Sequence, residues 1–98
     1  MPIKALIVDD EKLARRTITA SLSDFPDWES VGECERGDQV LEKVNKLAPD
    51  VVFLDIKMPT MDGLEVCRLI RQLEAPPVII FVTAFDAHAV EAFELCAL

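Results

Sequence analysis

The sequence predicts an α/β fold built on an open, doubly wound parallel sheet. Three observations carry that prediction. Short apolar runs alternate with amphipathic stretches along the whole chain. Most of the runs are apolar at every position, which marks strands covered by helices on both faces. Right-handed crossovers between parallel strands then distribute the helices to the two sides. The chain has 98 residues, 51% of them apolar, with a mean hydropathy of +0.25. That suits one small domain with one core and separates the chain from disordered sequences.

Each element follows in order. IKALIV, Ile3 to Val8, reads as the first strand and ends at Asp9-Asp10. Glu11 to Ser23 reads as a helix, with Ala14, Ile18, Leu22 and Phe25 spaced for one face, and Pro26 prevents its continuation. ESVGECE, Glu29 to Glu35, alternates weakly and reads as the second strand. Gly37-Asp38 opens a second helix with Val40, Leu41, Val44 and Leu47 on one face, stopped before Pro49. DVVFLD, Asp50 to Asp55, is the third strand. TMDG is a turn cluster from which Met61 or Asp62 starts the third helix. Its stripe is Val66, Leu69, Ile70 and Leu73, and APP ends it. VIIFVT, Val78 to Thr83, is the fourth and most uniformly apolar strand. Asp86 is placed to cap a fourth helix carrying Ala89, Val90 and Phe93. No repeat, linker or low-complexity segment interrupts the pattern, so residues 1–98 read as one domain.

The net charge of −8 argues against this domain gripping nucleic acid or an anionic membrane by itself. No apolar run approaches the roughly 20 residues that span a bilayer. The opening MPIKALIVDDE lacks the parts of a signal peptide, so a cytoplasmic location is expected. Cys34, Cys67 and Cys96 have no metal-ligand spacing and read as small apolar residues in a reducing compartment.

In a parallel open sheet the C-terminal strand ends share one edge, and ligands bind in the crevice there. Strand one ends at Asp9-Asp10-Glu11, strand three at Asp55 and strand four at Thr83-Ala84. If strands one and three are neighbours, three carboxylates meet with a hydroxyl beside them. Two unit charges about 4 Å apart repel by roughly 4 kcal/mol at an effective dielectric near 20. Protons or a cation relieve that repulsion, and oxygen ligands with retained waters suit Mg²⁺. Acids on two strands divide the labour: some hold the metal and one presents a nucleophile, whose attack on a phosphoryl group gives an acyl phosphate. A single strand-end Asp commonly caps a helix or accepts loop N–H groups instead. The coincidence of acids and a Thr on one edge favours the chemical reading.

These same residues resemble the receiver domain of bacterial two-component response regulators. The resemblance spans the whole chain and rests on LIVDDE, DVVFLDIKMPTMDG and VIIFVTA. LIVDDEKLAR and FVTAFDAHAVEAFELCAL look most like receivers of LytTR-type regulators, whose output domain binds DNA. The resemblance implies a flavodoxin- or CheY-like sheet of strand order 2-1-3-4. It implies Asp55 as phospho-acceptor, fed by a phosphohistidine on a sensor kinase. Asp10 would ligate Mg²⁺ directly, Asp9 through water, and Lys57 through its backbone carbonyl. Thr83 would hydrogen-bond the phosphoryl oxygen, and Ala84 would leave room for it. Met58, Pro59 and Gly63 would shape the loop beside the acceptor.

Receivers also carry a fifth strand, ending in a Lys that pairs with the phosphoryl group, and a fifth helix. The sequence stops at Leu98, where that strand would begin, and no residue here takes the Lys role. The expectation is a receiver cut before its fifth strand. Such a fragment would phosphorylate poorly, expose strand four as an edge and form a homodimer or swapped assembly. The alternative to the phospho-accepting reading is a fragment that accepts no phosphate and acts only as a dimerisation or interaction module. Two other readings are weaker. A haloacid-dehalogenase-type phosphatase needs a second Asp two residues after the nucleophile, and position 57 is Lys. A nucleotide- or flavin-binding module wants a phosphate loop after strand one, where DDEKLAR puts acids.

Overall fold

The structure is a computed structural model and describes residues 2–58 and 61–82. Its elements run β1 (Ile3–Val8), α1 (Lys12–Ser23), β2 (Trp28–Cys34), α2 (Val40–Leu47), β3 (Val51–Leu54), α3 (Gly63–Arg71) and β4 (Val78–Phe81). The four strands form one parallel sheet in the order β2-β1-β3-β4, as the resemblance implies. The fourth helix expected over Ala89, Val90 and Phe93, with its cap at Asp86, lies outside the described residues.

The main core lies between one face of the sheet and α2 with α3. Leu6, Val8, Val52 and Leu54 supply the sheet side, all at most 1% exposed. Val40 and Val44 of α2 and Val66, Cys67 and Ile70 of α3 close over them. Successive strand residues point to opposite faces, so Ala5 and Ile7 turn away toward α1, where both are fully buried. Trp28 and Phe53 meet with ring centroids 5.8 Å apart and planes tilted at 45°, a favourable geometry for an aromatic pair.

Several element boundaries differ from the sequence expectation. The second strand begins at Trp28, one residue early, because Ile3 pairs with Trp28 in register. A single 3₁₀ turn, Gly37–Gln39, precedes α2, so the helix itself opens at Val40. The third helix ends at Arg71, well before the Ala75-Pro76-Pro77 stop signal. β4 ends at Phe81.

Two packing expectations fail. Phe25 does not extend the buried stripe of α1: it falls beyond the helix end and is 58% exposed. Ala14, Ile18 and Leu22 are only half-buried, since α2 and α3 pack together on the opposite face. β4, apolar throughout, is not covered on both sides. Ile79 and Phe81 pack against the core while Val78 and Ile80 are exposed. The described helices over that core, α2 and α3, are on the other face.

Cys34 is a buried free thiol, pushed up to about 11 by desolvation, in keeping with an apolar role. Cys67 is buried but disulfide-bonded, against the reading of all the cysteines as reduced. No helix among the described residues is long and apolar enough to cross a membrane.

Candidate functional site

The strands end in step. Val8 pairs with both Cys34 and Leu54, and Leu54 pairs with Phe81. The ladder runs one residue further on each side: Asp9 N–H donates to the Cys34 carbonyl (3.1 Å), Asp55 N–H to the Val8 carbonyl (3.0 Å) and Val82 N–H to the Leu54 carbonyl (3.0 Å). Asp9 and Asp55 therefore leave neighbouring strands at the same level. Apolar patterning sets the register of β1 and β3, and that register delivers the two acids side by side.

One carboxylate oxygen from each of Asp9, Asp10 and Asp55 lies within 4.8 Å of the others. Asp9 is buried, Asp55 half-buried and Asp10 exposed, so the cluster is a shallow pocket open on one side. The Asp9 carboxyl is raised above its ordinary range, chiefly by desolvation, and Asp10 and Glu11 add repulsion. Its Oδ1 accepts the Glu11 N–H at 2.9 Å, which works in the opposite direction. Asp55 is also raised, to about 6. Desolvation is the largest cause and the Asp9 and Asp10 charges follow; the backbone N–H groups of Lys57 and Ile56 partly offset them. Asp9 and Asp55 thus also have the ordinary strand-end role of accepting loop N–H groups, and they keep the cluster together while doing so.

The donor set fits a hard divalent cation. Three carboxylates repel one another on a partly desolvated edge, and a small ion with retained waters relieves that strain from the open side. The surrounding loop is tightly made. Gly63 N–H donates to the Ile56 carbonyl (2.8 Å), and a Cβ at Gly63 would lie 2.3 Å from the Asp55 carbonyl oxygen. Only a glycine lets α3 start this close to β3. Asp62 caps that helix, accepting the Glu65 N–H at 3.0 Å. Met58 is buried against the core.

Of the other expected site residues, Lys57 lies in the loop just after Asp55 with its side chain exposed. Thr83, Ala84 and Pro59 lie outside the described residues. Val82, the residue before Thr83, continues the ladder at the same edge. Sequence reasoning left one participant unassigned. Arg15 reaches back from α1 to the carbonyl of Asp9 (2.7 Å) and is held by Glu33 of β2 (2.9 Å). A basic residue one turn into the helix, facing an acid at the end of β2, was the available signal.

Residues 5–97 match the response regulator receiver domain family. The chain is 49% identical over 92 residues to the transcriptional regulatory protein BtsR of Escherichia coli K12, covering 94% of this chain and 38% of that protein. It is 40% identical over 96 residues to the sensory transduction protein LytT of Bacillus anthracis, covering 98% and 39% respectively. Among solved structures, the response regulator domain of Thermotoga maritima CheB superposes with a TM-score of 0.88 at 32% identity, covering all of this chain and 75% of that one. The chain thus spans less than two fifths of the length of these curated relatives.

Proposed function

The chain belongs to the response regulator receiver domain family, and we propose that it is the phospho-accepting receiver of a two-component system, with Asp55 as the acceptor. The observation that carries this reading is the convergence of Asp9, Asp10 and Asp55 at one sheet edge. A sensor histidine kinase would supply the phosphoryl group. Asp10 and Asp55, the Lys57 carbonyl, and Asp9 through water would hold Mg²⁺, which offsets the charge of the incoming group.

Asp55 must attack as a carboxylate. With its carboxyl held near 6 it is mostly ionised at neutral pH. The Ile56 and Lys57 amides donate to the carboxylate and favour its ionised form. As a carboxylate oxygen bonds to phosphorus, the phosphorus–nitrogen bond of phosphohistidine breaks and its electron pair returns to the imidazole. The product is an acyl phosphate on Asp55. The domain is in this sense a signalling acceptor, and its turnover is confined to its own side chain. Thr83 and Ala84 are the proposed contacts of the transferred group.

The added charge of about −1.5 to −2 would draw Thr83 and the following segment toward Asp55. The output would be a shift between two packings of that surface. The BtsR and LytT relatives support a LytTR-type parent in which a DNA-binding output domain receives that shift, in the cytoplasm. Labelling a full-length protein that carries this chain, with acetyl phosphate and Mg²⁺, should give a hydroxylamine-sensitive phosphate that Asp55→Asn abolishes. Residual hydroxylamine-sensitive phosphate in that variant would move the acceptor elsewhere.

A second reading, an interaction module that accepts no phosphate, is favoured by the apolar row Val78, Ile80 and Val82 on the β4 side, 62%, 39% and 36% exposed. It predicts a homodimer or a swapped assembly, and a strictly monomeric sedimentation profile at high concentration would remove it.

A further inference from the structure

We infer that Arg15 is a positioning residue for the acid cluster: it locks the peptide plane that joins Asp9 to Asp10. This inference rests on the receiver reading of the site.

The carbonyl of Asp9 belongs to the peptide group shared with Asp10. Its orientation fixes ψ of Asp9 and φ of Asp10 together, and so the directions in which both carboxylates leave the backbone. Arg15 donates to that carbonyl from Nη1 at 2.7 Å. Its Nε donates to Glu33 Oε1 at 2.9 Å. One planar guanidinium therefore spans from the end of β2 to the turn after β1. The Arg15 side chain is only 12% exposed, whereas Glu33 is 45% exposed. The guanidinium is thus largely enclosed. On the other side of the residue, the Asp9 N–H is held by the Cys34 carbonyl. Asp9 is pinned at both backbone groups, and both pins lead to β2.

The effect is geometric. Both of these guanidinium contacts are with groups other than the Asp9 carboxylate: the Asp9 backbone carbonyl and Glu33. The guanidinium charge is directed to Glu33 and to a backbone carbonyl. A planar fork with several fixed donors does this; an ammonium on a flexible stem offers one point of contact. Mg²⁺ demands near-ideal octahedral geometry, whereas Ca²⁺ accepts varied ligand number and angle. A loosened Asp9–Asp10 peptide should therefore penalise Mg²⁺ more than Ca²⁺.

The test is calorimetric titration of the metal-free chain with Mg²⁺ and separately with Ca²⁺, for wild type, Arg15→Ala, Arg15→Lys and Glu33→Ala. Removing a group that orients metal ligands typically weakens binding by tenfold or more. Arg15→Ala should lose roughly tenfold in Mg²⁺ affinity and clearly less for Ca²⁺, so the Mg²⁺/Ca²⁺ ratio falls. Arg15→Lys should fail to restore the ratio. Glu33→Ala, which leaves the pocket and Arg15 in place, should show the same change in smaller measure. A purely structural role would lower both affinities in parallel, with the ratio unchanged. That result overturns the inference, as does full recovery by Lys. If Arg15→Ala does not fold, the ratio in Arg15→Lys and Glu33→Ala decides. A wild-type chain that binds no Mg²⁺ overturns this inference and the proposed function together. A wild type that binds Mg²⁺ beside variants with an unchanged ratio overturns the inference alone.

Discussion

Replacing Asp55 by Asn should stabilise the metal-free chain at neutral pH, and the gain should vanish in acid. The folded state raises this carboxyl from 3.8 to about 6. A group whose folded value is raised binds more protons in the native than in the unfolded state between those two values. The contribution of Asp55 to wild-type stability must therefore fall as pH rises from about 4 to 6 and level off above. At about 1.4 kcal/mol for each tenfold change in proton affinity, the full rise corresponds to about 3 kcal/mol. The carboxyl is half-exposed, so solvent screening trims this to roughly 1–2 kcal/mol. Asn removes the charge and keeps one carbonyl oxygen for the Ile56 and Lys57 amides. Urea denaturation of both chains at intervals from pH 3.5 to 7.5, with chelator present, reads the difference directly. It should be near zero at pH 3.5 and reach about 1–2 kcal/mol in favour of Asp55→Asn by pH 7. Excess Mg²⁺ should reverse the order, because wild type gains by mass action and the variant gains less. A difference that is flat with pH, or a destabilised variant at pH 7, would refute the claim that burial and the Asp9 and Asp10 charges strain this carboxylate.

Gly63→Ala should cost about 1–3 kcal/mol in a urea titration, since its Cβ would press on the Asp55 carbonyl and the Ile56 backbone, neither of which can yield freely. It should also weaken Mg²⁺ binding, measured by calorimetry. Asp62→Ala should cost about 1 kcal/mol through loss of the cap on α3, read in the same titration. Ala48→Gly should run the other way. Ala48 ends α2 in the left-handed region at φ 48°, and glycine there should raise stability by roughly 0.5–1 kcal/mol in thermal melts.

The legible part of the fold was the part that apolar patterning dictates. Val51 to Leu54 and Ile3 to Val8 read as strands from their apolar runs, their central places following from the receiver resemblance, and the helical stripes of α2 and α3 found their places in the core. The acids at positions 9, 10 and 55 were legible as a cluster on the condition that strands one and three are neighbours, which the receiver resemblance implied and the pairing of β1 with β3 bears out. What the pattern could not convey was relative coverage. Phe25, Val78 and Ile80 carry the same apolar signal as buried residues, and only the packing partners decide their exposure. The basic residue at position 15 could be seen in the sequence, but its role could not, for a related reason. Its importance lies in a carbonyl and a glutamate brought to it from two strands, and no spacing rule contains that meeting.

The pairing of Ala5 with Val51 joins segments far apart along the chain. A ribosome must extrude the chain through Leu54, just over half of the 98 residues, before β1 acquires its second neighbour, and until then the carboxylates of residues 9 and 55 have no shared environment. Formation of the pocket is accordingly a late event whose timing follows loop closure and not local helix growth. An ion that recognises only the finished arrangement would leave the refolding rate almost untouched and would instead slow the escape from the native state.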